Sequence, residues 1–139
     1  MSGKRILVVD DEKDLIKLID MRLKTAGYEV LTALDGREGL EMARKEKPDL
    51  IILDVMLPKL EGNQVCKMLK GDALYKNIPI IILTGRVQKK DEELAIEAGA
   101  DSFLQKPFES ADLLEKIKVL LERKSSEKAA PLKPGHYNV

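Results

Sequence analysis

Three aspartates stand directly after short apolar runs, at positions where a buried strand would end. Asp10 and Asp11 follow residues 6–9, and Asp54 follows residues 50–53. In an open parallel sheet, ligands bind outside the carboxyl ends of the strands. Like charges gathered at that edge cost stability, whereas a divalent cation held by their oxygens reverses the effect. The aspartates therefore predict a metal site, and Mg²⁺ fits better than Ca²⁺ because carboxylates, waters and a phosphate oxygen suit octahedral coordination.

A structural interpretation of these acids also has to be weighed. Acidic residues often lie at the start of a helix, where they stabilise its N-terminal dipole, and Glu12 and Asp14 are assigned to that role. Asp10, Asp11 and Asp54 differ because two separate apolar runs lead straight into them. That arrangement favours a functional site for these three residues.

Two further strand ends carry groups suited to a phosphoryl group. Thr84 offers a hydroxyl donor, and Gly85 leaves room beside it. Lys106 supplies a compact positive charge, and a cis bond to Pro107 is one way to fix its direction. Each feature alone is commonplace, since a Thr-Gly pair is usually a turn and a lysine is usually solvated. Together they suit Asp54 as a nucleophile that forms an acyl phosphate while Mg²⁺ neutralises the charge on the transferred group.

Five strands and five helices are needed to position these residues. Apolar runs at residues 6–9, 50–53 and 78–83 are typical of strands buried on both faces, and weaker strands are predicted at 28–33 and 102–105. Right-handed crossovers then favour an α/β flavodoxin-like fold, an open doubly wound parallel sheet in the order 2-1-3-4-5. Helices are predicted around residues 15–26, 37–47, 63–70, 89–98 and from residue 110 onward.

Length and composition indicate one domain. The chain has 139 residues, of which residues 1–123 are predicted to form the domain and residues 124–139 a flexible tail. The 24 basic and 24 acidic side chains cancel, so no overall field draws the molecule to nucleic acid or to a membrane. A single cysteine, Cys66, cannot form an internal disulfide, and no apolar run is long enough for a membrane segment. These features predict a cytoplasmic protein.

Taken together, the motifs resemble the response-regulator receiver family over residues 4–123. The matching stretches are ILVVDDE at 6–12, LIILDVMLPKLEG at 50–62, ILTG at 82–85 and GADSFLQKPF at 99–108. The resemblance implies a signalling receiver that is not an enzyme, although it assists its own phosphotransfer and autodephosphorylation. A histidine kinase or histidine phosphotransfer protein would donate the phosphoryl group, and a downstream protein would read the result.

The resemblance also implies a set of metal and phosphate ligands. Asp11 would bind Mg²⁺ directly, Asp10 mainly through a water, and Asp54 would be both phosphate acceptor and ligand. The backbone carbonyl of Met56 would be the remaining protein ligand of the Mg²⁺ ion. The phosphoryl group would be held by Thr84, Gly85 and Lys106.

A conformational switch is the second implication of the resemblance. Thr84 would move toward the phosphate, the ring of Phe103 would turn into the vacated space, and the surface of the fourth helix, fifth strand and fifth helix would change. A fixed core position for Phe103 is an equal alternative. The chain departs from the family at Gly85, where alanine is common, and at Phe103, where tyrosine is frequent. Met56 and Arg86 occupy variable positions at which dephosphorylation speed is tuned.

Other function classes fit the sequence less well. A Mg²⁺-dependent phosphatase usually needs a second acid two residues after its nucleophile, and Met56 occupies that position. An inert interaction module would be expected to have lost pocket residues. A dinucleotide-binding domain needs a glycine-rich turn after the first strand. The sequence contains no basic recognition helix, so we expect no nucleic-acid binding within this chain. His136 is expected to be inert. Whether phosphorylation causes homodimerisation stays open.

Overall fold

The computed structural model of the chain describes residues 3–85 and 89–129, with side chains described as far as Arg123. Strands and helices alternate along it, which confirms the predicted α/β architecture. The strands are β1 (Arg5–Val9), β2 (Glu29–Ala33), β3 (Leu50–Asp54), β4 (Ile80–Thr84) and β5 (Ser102–Gln105). The helices are α1 (Lys13–Thr25), α2 (Gly36–Glu46), α3 (Gly62–Lys70), α4 (Lys89–Glu97) and α5 (Ser110–Ala129).

The five strands form one parallel sheet in the order β2-β1-β3-β4-β5, as predicted. Its register determines which strand ends meet. Val9 pairs with Leu53, so Asp10 and Asp54 follow at the same level of neighbouring strands. Thr84 lies one residue beyond the partner of Asp54 and pairs with Gln105, so Lys106 follows at the same edge.

Two apolar layers hold the sheet, one on each face. Alternate residues of the central strands point to opposite sides, so Leu7 and Val9 join the cluster under α2, α3 and α4, while Ile6 and Val8 join the cluster under α1 and α5. Every residue of β3 and β4 is buried. Each fully buried Ile or Leu contributes roughly 2 kcal/mol through the hydrophobic effect, which fixes the strand ends that carry the polar residues.

Several element boundaries differ from the sequence prediction by a few residues. Strand β4 begins at Ile80 and not at residue 78, because Pro79 has no N–H to donate, although its carbonyl accepts from Ile51 N at 2.9 Å. Gly27 and Gly99 follow α1 and α4 with positive φ angles of 97° and 92°, as expected for glycines that end helices.

The last helix continues further than its apolar stripe suggested. Helix α5 runs to Ala129, six residues past Arg123, so the backbone of the predicted tail begins as helix. The domain boundary after residue 123 stays a prediction. Arg86 and His136 lie outside the described residues. Among the helices that are described, none has the length and apolar character needed to cross a bilayer.

Candidate functional site

Three carboxylates meet at the carboxyl edge of the sheet. One oxygen each from Asp10, Glu12 and Asp54 lies within 4.8 Å of the other two. Asp10 is 0% exposed and Asp54 is 4% exposed, whereas Glu12 lies at the surface. The hydrophobic run before each buried aspartate explains this burial, because the strand enters the site through the core. The structure therefore brings together two of the three aspartates singled out from the sequence.

Asp11 is the aspartate that does not join this group. Its side chain is exposed, and the third carboxylate is that of Glu12, which we had assigned to the start of a helix. The reason is local: Asp10 Oδ1 accepts a hydrogen bond from Glu12 N at 2.8 Å, and this turn directs Glu12 toward the site. Glu12 is the N-cap residue of α1, but its side chain makes no capping hydrogen bond. The structure does not place Asp11 in this group of three carboxylates, and its role as a metal ligand stays a prediction.

Lys106 supplies a positive charge to all three carboxylates. Its Nζ donates to Asp10 Oδ2 at 2.9 Å and to Glu12 Oε1 at 2.8 Å, and lies 3.4 Å from Asp54 Oδ2. The lysine comes from the end of β5, where its N–H donates to the carbonyl of Thr84 at 2.7 Å and its bond to Pro107 is cis. The sequence predicts a divalent cation as the positive charge that offsets these acids. The ammonium group already compensates part of the charge.

The remaining charge fits a divalent cation. Three carboxylates and one ammonium leave two negative charges on a set of oxygen ligands, two of which are buried. Hard cations such as Mg²⁺ prefer oxygen ligands and are commonly held by one or two carboxylates with waters. The donor set of this site is therefore suitable for Mg²⁺, and Asp10 and Asp54 are the residues best placed to hold it.

Asp54 is held less tightly than Asp10. Both oxygens of Asp10 accept hydrogen bonds below 3 Å, whereas Asp54 Oδ1 accepts a longer one from Met56 N at 3.3 Å. Burial, and then repulsion from Asp10, raise the pKa of Asp54 above its usual range, while Lys106 opposes the rise. A carboxylate that is desolvated and weakly bonded is the better nucleophile of the two.

Lys106 remains protonated in this setting. Burial alone would lower the pKa of its ammonium, but hydrogen bonds to Glu12 and Asp10 outweigh it and raise the pKa. The site therefore combines a buried carboxylate with a permanent positive charge beside it. That pair can accept a phosphoryl group and neutralise one of its oxygens.

The other predicted site residues lie around this centre. Thr84 is fully buried at the end of β4, and no atom of the residues that the structure describes lies within 4 Å of where a Cβ of Gly85 would stand. Met56 follows the acceptor in the loop after β3 and is exposed. Phe103 is half-buried and packs against the cluster under α2, α3 and α4. The roles assigned to these residues stay predictions.

Magnesium is expected to stabilise the fold through this site. If only the native state binds the ion, Mg²⁺ at tenfold its dissociation constant adds roughly 1.4 kcal/mol to the free energy of unfolding. Thermal unfolding with and without Mg²⁺ measures this gain, and Asp10→Asn should lose most of it. An unchanged melting temperature at millimolar Mg²⁺ would mean that the two residual charges are balanced in another way.

Residues 6–118 match the response regulator receiver domain family. The alkaline phosphatase synthesis transcriptional regulatory protein PhoP of Bacillus subtilis is 48% identical over 93% of this chain and 52% of its own length. RpaA of Synechocystis, a DNA-binding dual master transcriptional regulator, is 40% identical over 86% of the chain and 49% of its own length. The chain thus spans about half the length of the curated relatives that it matches.

Solved structures give the same result for the fold. A CheY-like receiver domain protein from Methanospirillum hungatei has a TM-score of 0.85 and 34% identity, covering 91% of this chain and 99% of that one. The receiver domain of the sensor histidine kinase PA1611 from Pseudomonas aeruginosa has a TM-score of 0.81 and 29% identity, covering 87% of this chain and 99% of that one. With the family match covering most of the sequence and the five-stranded fold agreeing, the chain belongs to the response regulator receiver domain family.

Proposed function

We propose that this chain is a phosphorylation-controlled signalling switch in which Asp54 accepts a phosphoryl group. The observation that carries the proposal is the pairing of a buried carboxylate, Asp54, with the ammonium of Lys106 in a cluster that retains two negative charges. Homologues of the chain are response regulators that work with histidine kinases. A histidine kinase or a histidine phosphotransfer protein is therefore the proposed donor.

The transfer itself needs one bond to form and one to break. Asp54 Oδ2 attacks phosphorus, and the bond from phosphorus to the donor atom breaks, with its electron pair leaving on the donor. Lys106 would then contact a phosphoryl oxygen, and the hydroxyl of buried Thr84 would donate to another. These residues would assist phosphotransfer and later autodephosphorylation, although receiver domains are signalling modules and not conventional enzymes.

A bound Mg²⁺ would supply positive charge for the phosphoryl oxygens. Asp10, Asp54, the carbonyl of Met56 and, after rearrangement of its loop, Asp11 would hold the ion. The similar receiver domain from Pseudomonas aeruginosa was solved with a magnesium ion coordinated in its active-site cleft. That likeness supports the same cofactor here.

The proposed output is a change in the surface formed by α4, β5 and α5. Thr84 ends β4 and Phe103 lies on the neighbouring strand β5, so a movement of Thr84 toward the phosphate would alter the packing of Phe103. A downstream protein would bind the changed surface, and a phosphorylation-dependent homodimer is part of the same proposal. The cytoplasm is the proposed location, and we propose no nucleic-acid contact by this chain itself.

Incubation with acetyl phosphate and Mg²⁺ tests the proposed function. We expect intact mass to increase by one phosphoryl group, and peptide mapping to place an alkali-labile acyl phosphate in the segment that contains Asp54. No phosphoryl group should be added when Mg²⁺ is chelated before acetyl phosphate is supplied. An unmodified mass under saturating acetyl phosphate and Mg²⁺ would contradict the proposal, and continuous turnover of a phosphate ester would favour a phosphatase.

A further inference from the structure

We infer that Glu12 is a positioning residue that competes with the phosphoryl group of Asp54 for the ammonium of Lys106. The inference rests on the proposed function and deepens it, because it concerns how readily the same site is phosphorylated. From the sequence, Glu12 was expected to stabilise the start of a helix and not to belong to the site. Its place in the site comes from the geometry alone.

The argument starts from the hydrogen-bonding capacity of Lys106. An ammonium group has three N–H donors. Two of them are used by Asp10 Oδ2 at 2.9 Å and Glu12 Oε1 at 2.8 Å, while Asp54 Oδ2 lies further away, at 3.4 Å. The ammonium is therefore drawn toward the two acids of the β1 end and away from the acceptor.

Phosphorylation changes the demand on this ammonium. The oxygens on phosphorus carry more negative charge than the carboxylate that they replace and need charge-assisted donors. The third N–H of Lys106 can point to a phosphoryl oxygen, but Nζ lies 3.4 Å from Asp54 Oδ2 and has to move toward phosphorus to donate to it, which lengthens its hydrogen bond to one of its present partners. Asp10 is fully buried and held through both oxygens, whereas the side chain of Glu12 is 61% exposed. Water can solvate the carboxylate of Glu12 once its hydrogen bond to Lys106 breaks, so the bond to Glu12 is the one that is lost.

The backbone of Glu12 is fixed at the start of α1, which keeps its side chain within hydrogen-bonding distance of Lys106. Its N–H donates to Asp10 Oδ1 at 2.8 Å, and its carbonyl accepts from Ile16 N at 3.0 Å, so the residue is fixed at the start of α1. Its carboxylate makes no capping hydrogen bond and bonds to Lys106. Glu12 thus stabilises the unphosphorylated arrangement more than the phosphorylated one.

The consequence for the reaction can be written with acetyl phosphate as donor. Asp54 Oδ2 forms a bond to phosphorus, the bond from phosphorus to the acetyl oxygen breaks, and acetate leaves with the electron pair. In wild type, Lys106 must give up Glu12 to follow the phosphoryl group. Glu12→Gln keeps the size of the side chain but removes its charge, so this cost falls. We expect the phosphorylation rate at saturating Mg²⁺ to rise about threefold, with a larger phosphorylated fraction at steady state.

Two variants separate this effect from a general loss of negative charge. Glu12→Asp keeps the charge, but an aspartate at an N-cap position bonds to the N–H groups of the first helical turn, which withdraws it from Lys106. It should raise the rate as Glu12→Gln does, while leaving the Mg²⁺ affinity near that of wild type. Asp14→Asn removes an exposed acid of the first turn of α1 and should leave the rate unchanged. A purely structural role for Glu12 would not produce a faster reaction in two variants of different charge.

The experiment measures acetyl phosphate kinetics by intact mass, with Mg²⁺ affinity determined separately from thermal unfolding. Faster phosphorylation in both Glu12 variants supports the inference. An unchanged or slower rate in Glu12→Gln at saturating Mg²⁺, with wild type phosphorylated normally, overturns it and leaves the proposed function intact. A large loss of Mg²⁺ affinity without a faster rate also overturns it, because Glu12 would then be a metal ligand. Failure of wild type itself to become phosphorylated overturns the proposed function and this inference together.

Discussion

Asp54→Asn is expected to abolish phosphoryl transfer to the chain and, in the absence of metal, to make the fold more stable at neutral pH. An amide has no anionic oxygen that can attack phosphorus, so acetyl phosphate should leave the mass of the variant unchanged. The stability gain has a separate cause. Burial and the nearby charge of Asp10 raise the pKa of Asp54, which means that the ionised carboxylate is costly in the folded state. Replacing it should add about 1 kcal/mol to the free energy of unfolding.

The pH dependence of that gain follows from the direction of the shift. The pKa of Asp54 in the folded chain lies above its ordinary value of 3.8. Below the ordinary value both states are protonated and no penalty exists. As pH rises, the unfolded state ionises first, so the penalty grows until the folded pKa is passed and is complete above it. The advantage of Asp54→Asn should therefore be full above the folded pKa and fade as pH falls from the folded pKa toward 3.8.

Urea unfolding at neutral and acidic pH measures this difference. Asp35→Asn is the matched control, because a hydrogen bond from Glu38 N at 2.8 Å lowers the pKa of Asp35. Loss of that ionised group should give no gain in stability at neutral pH. Saturating Mg²⁺ should reverse the order of wild type and Asp54→Asn, since the ion binds the carboxylate and not the amide. A variant that is less stable than wild type without metal would show that the carboxylate of Asp54 carries no burial penalty.

The central part of the fold could be predicted from the sequence because its signals do not compete. Residues 50–53 are apolar without interruption, and Asp54, which follows them, has to lie at the carboxyl edge of a parallel sheet. The predicted start of β4 at residue 78 was wrong for a local reason, since Pro79 has no N–H to donate to the hydrogen bonds between the strands. The length of α5 was also missed, because its last turns continue without the apolar stripe that marked its start.

The composition of the site was harder to predict than its location. Strand patterns place Asp10, Asp11 and Glu12 at the same edge, but they do not tell which side chain points into it. That choice depends on the turn in which Glu12 N donates to Asp10 Oδ1, a contact that periodicity does not encode. Similarly, the sequence placed Lys106 near a phosphate but gave no sign that it already bridges Asp10 and Glu12. Long-range ion pairs depend on side-chain reach, which becomes known only when the strands are assembled.

Gly62→Ala is expected to cause a large loss of stability next to the acceptor strand. Gly62 begins α3, and its N–H donates to Val55 O at 3.1 Å, directly after the acceptor strand. A Cβ at this position would collide with the carbonyl oxygen of Asp54 and lie 2.9 Å from its carbonyl carbon. Both are backbone atoms that cannot rotate away, so the strand end or the helix has to move. We expect a loss of roughly 3 kcal/mol in the free energy of unfolding.

The same displacement should slow phosphorylation, because it moves the residue that attacks phosphorus. A shift of a few tenths of an ångström at the acceptor is expected to lower the acetyl phosphate rate about tenfold. Gly85→Ala is the control, since it adds the same methyl group at the neighbouring strand end, where no atom of residues 3–85 and 89–129 lies within 4 Å of the new Cβ. It serves as a control for stability and not for rate, because Gly85 is one of the predicted phosphate-binding residues, and it should leave stability unchanged or about 0.5 kcal/mol higher. Alanine is otherwise the better helix former, so a Gly62→Ala variant as stable as wild type would mean that α3 can move away from Asp54 without cost.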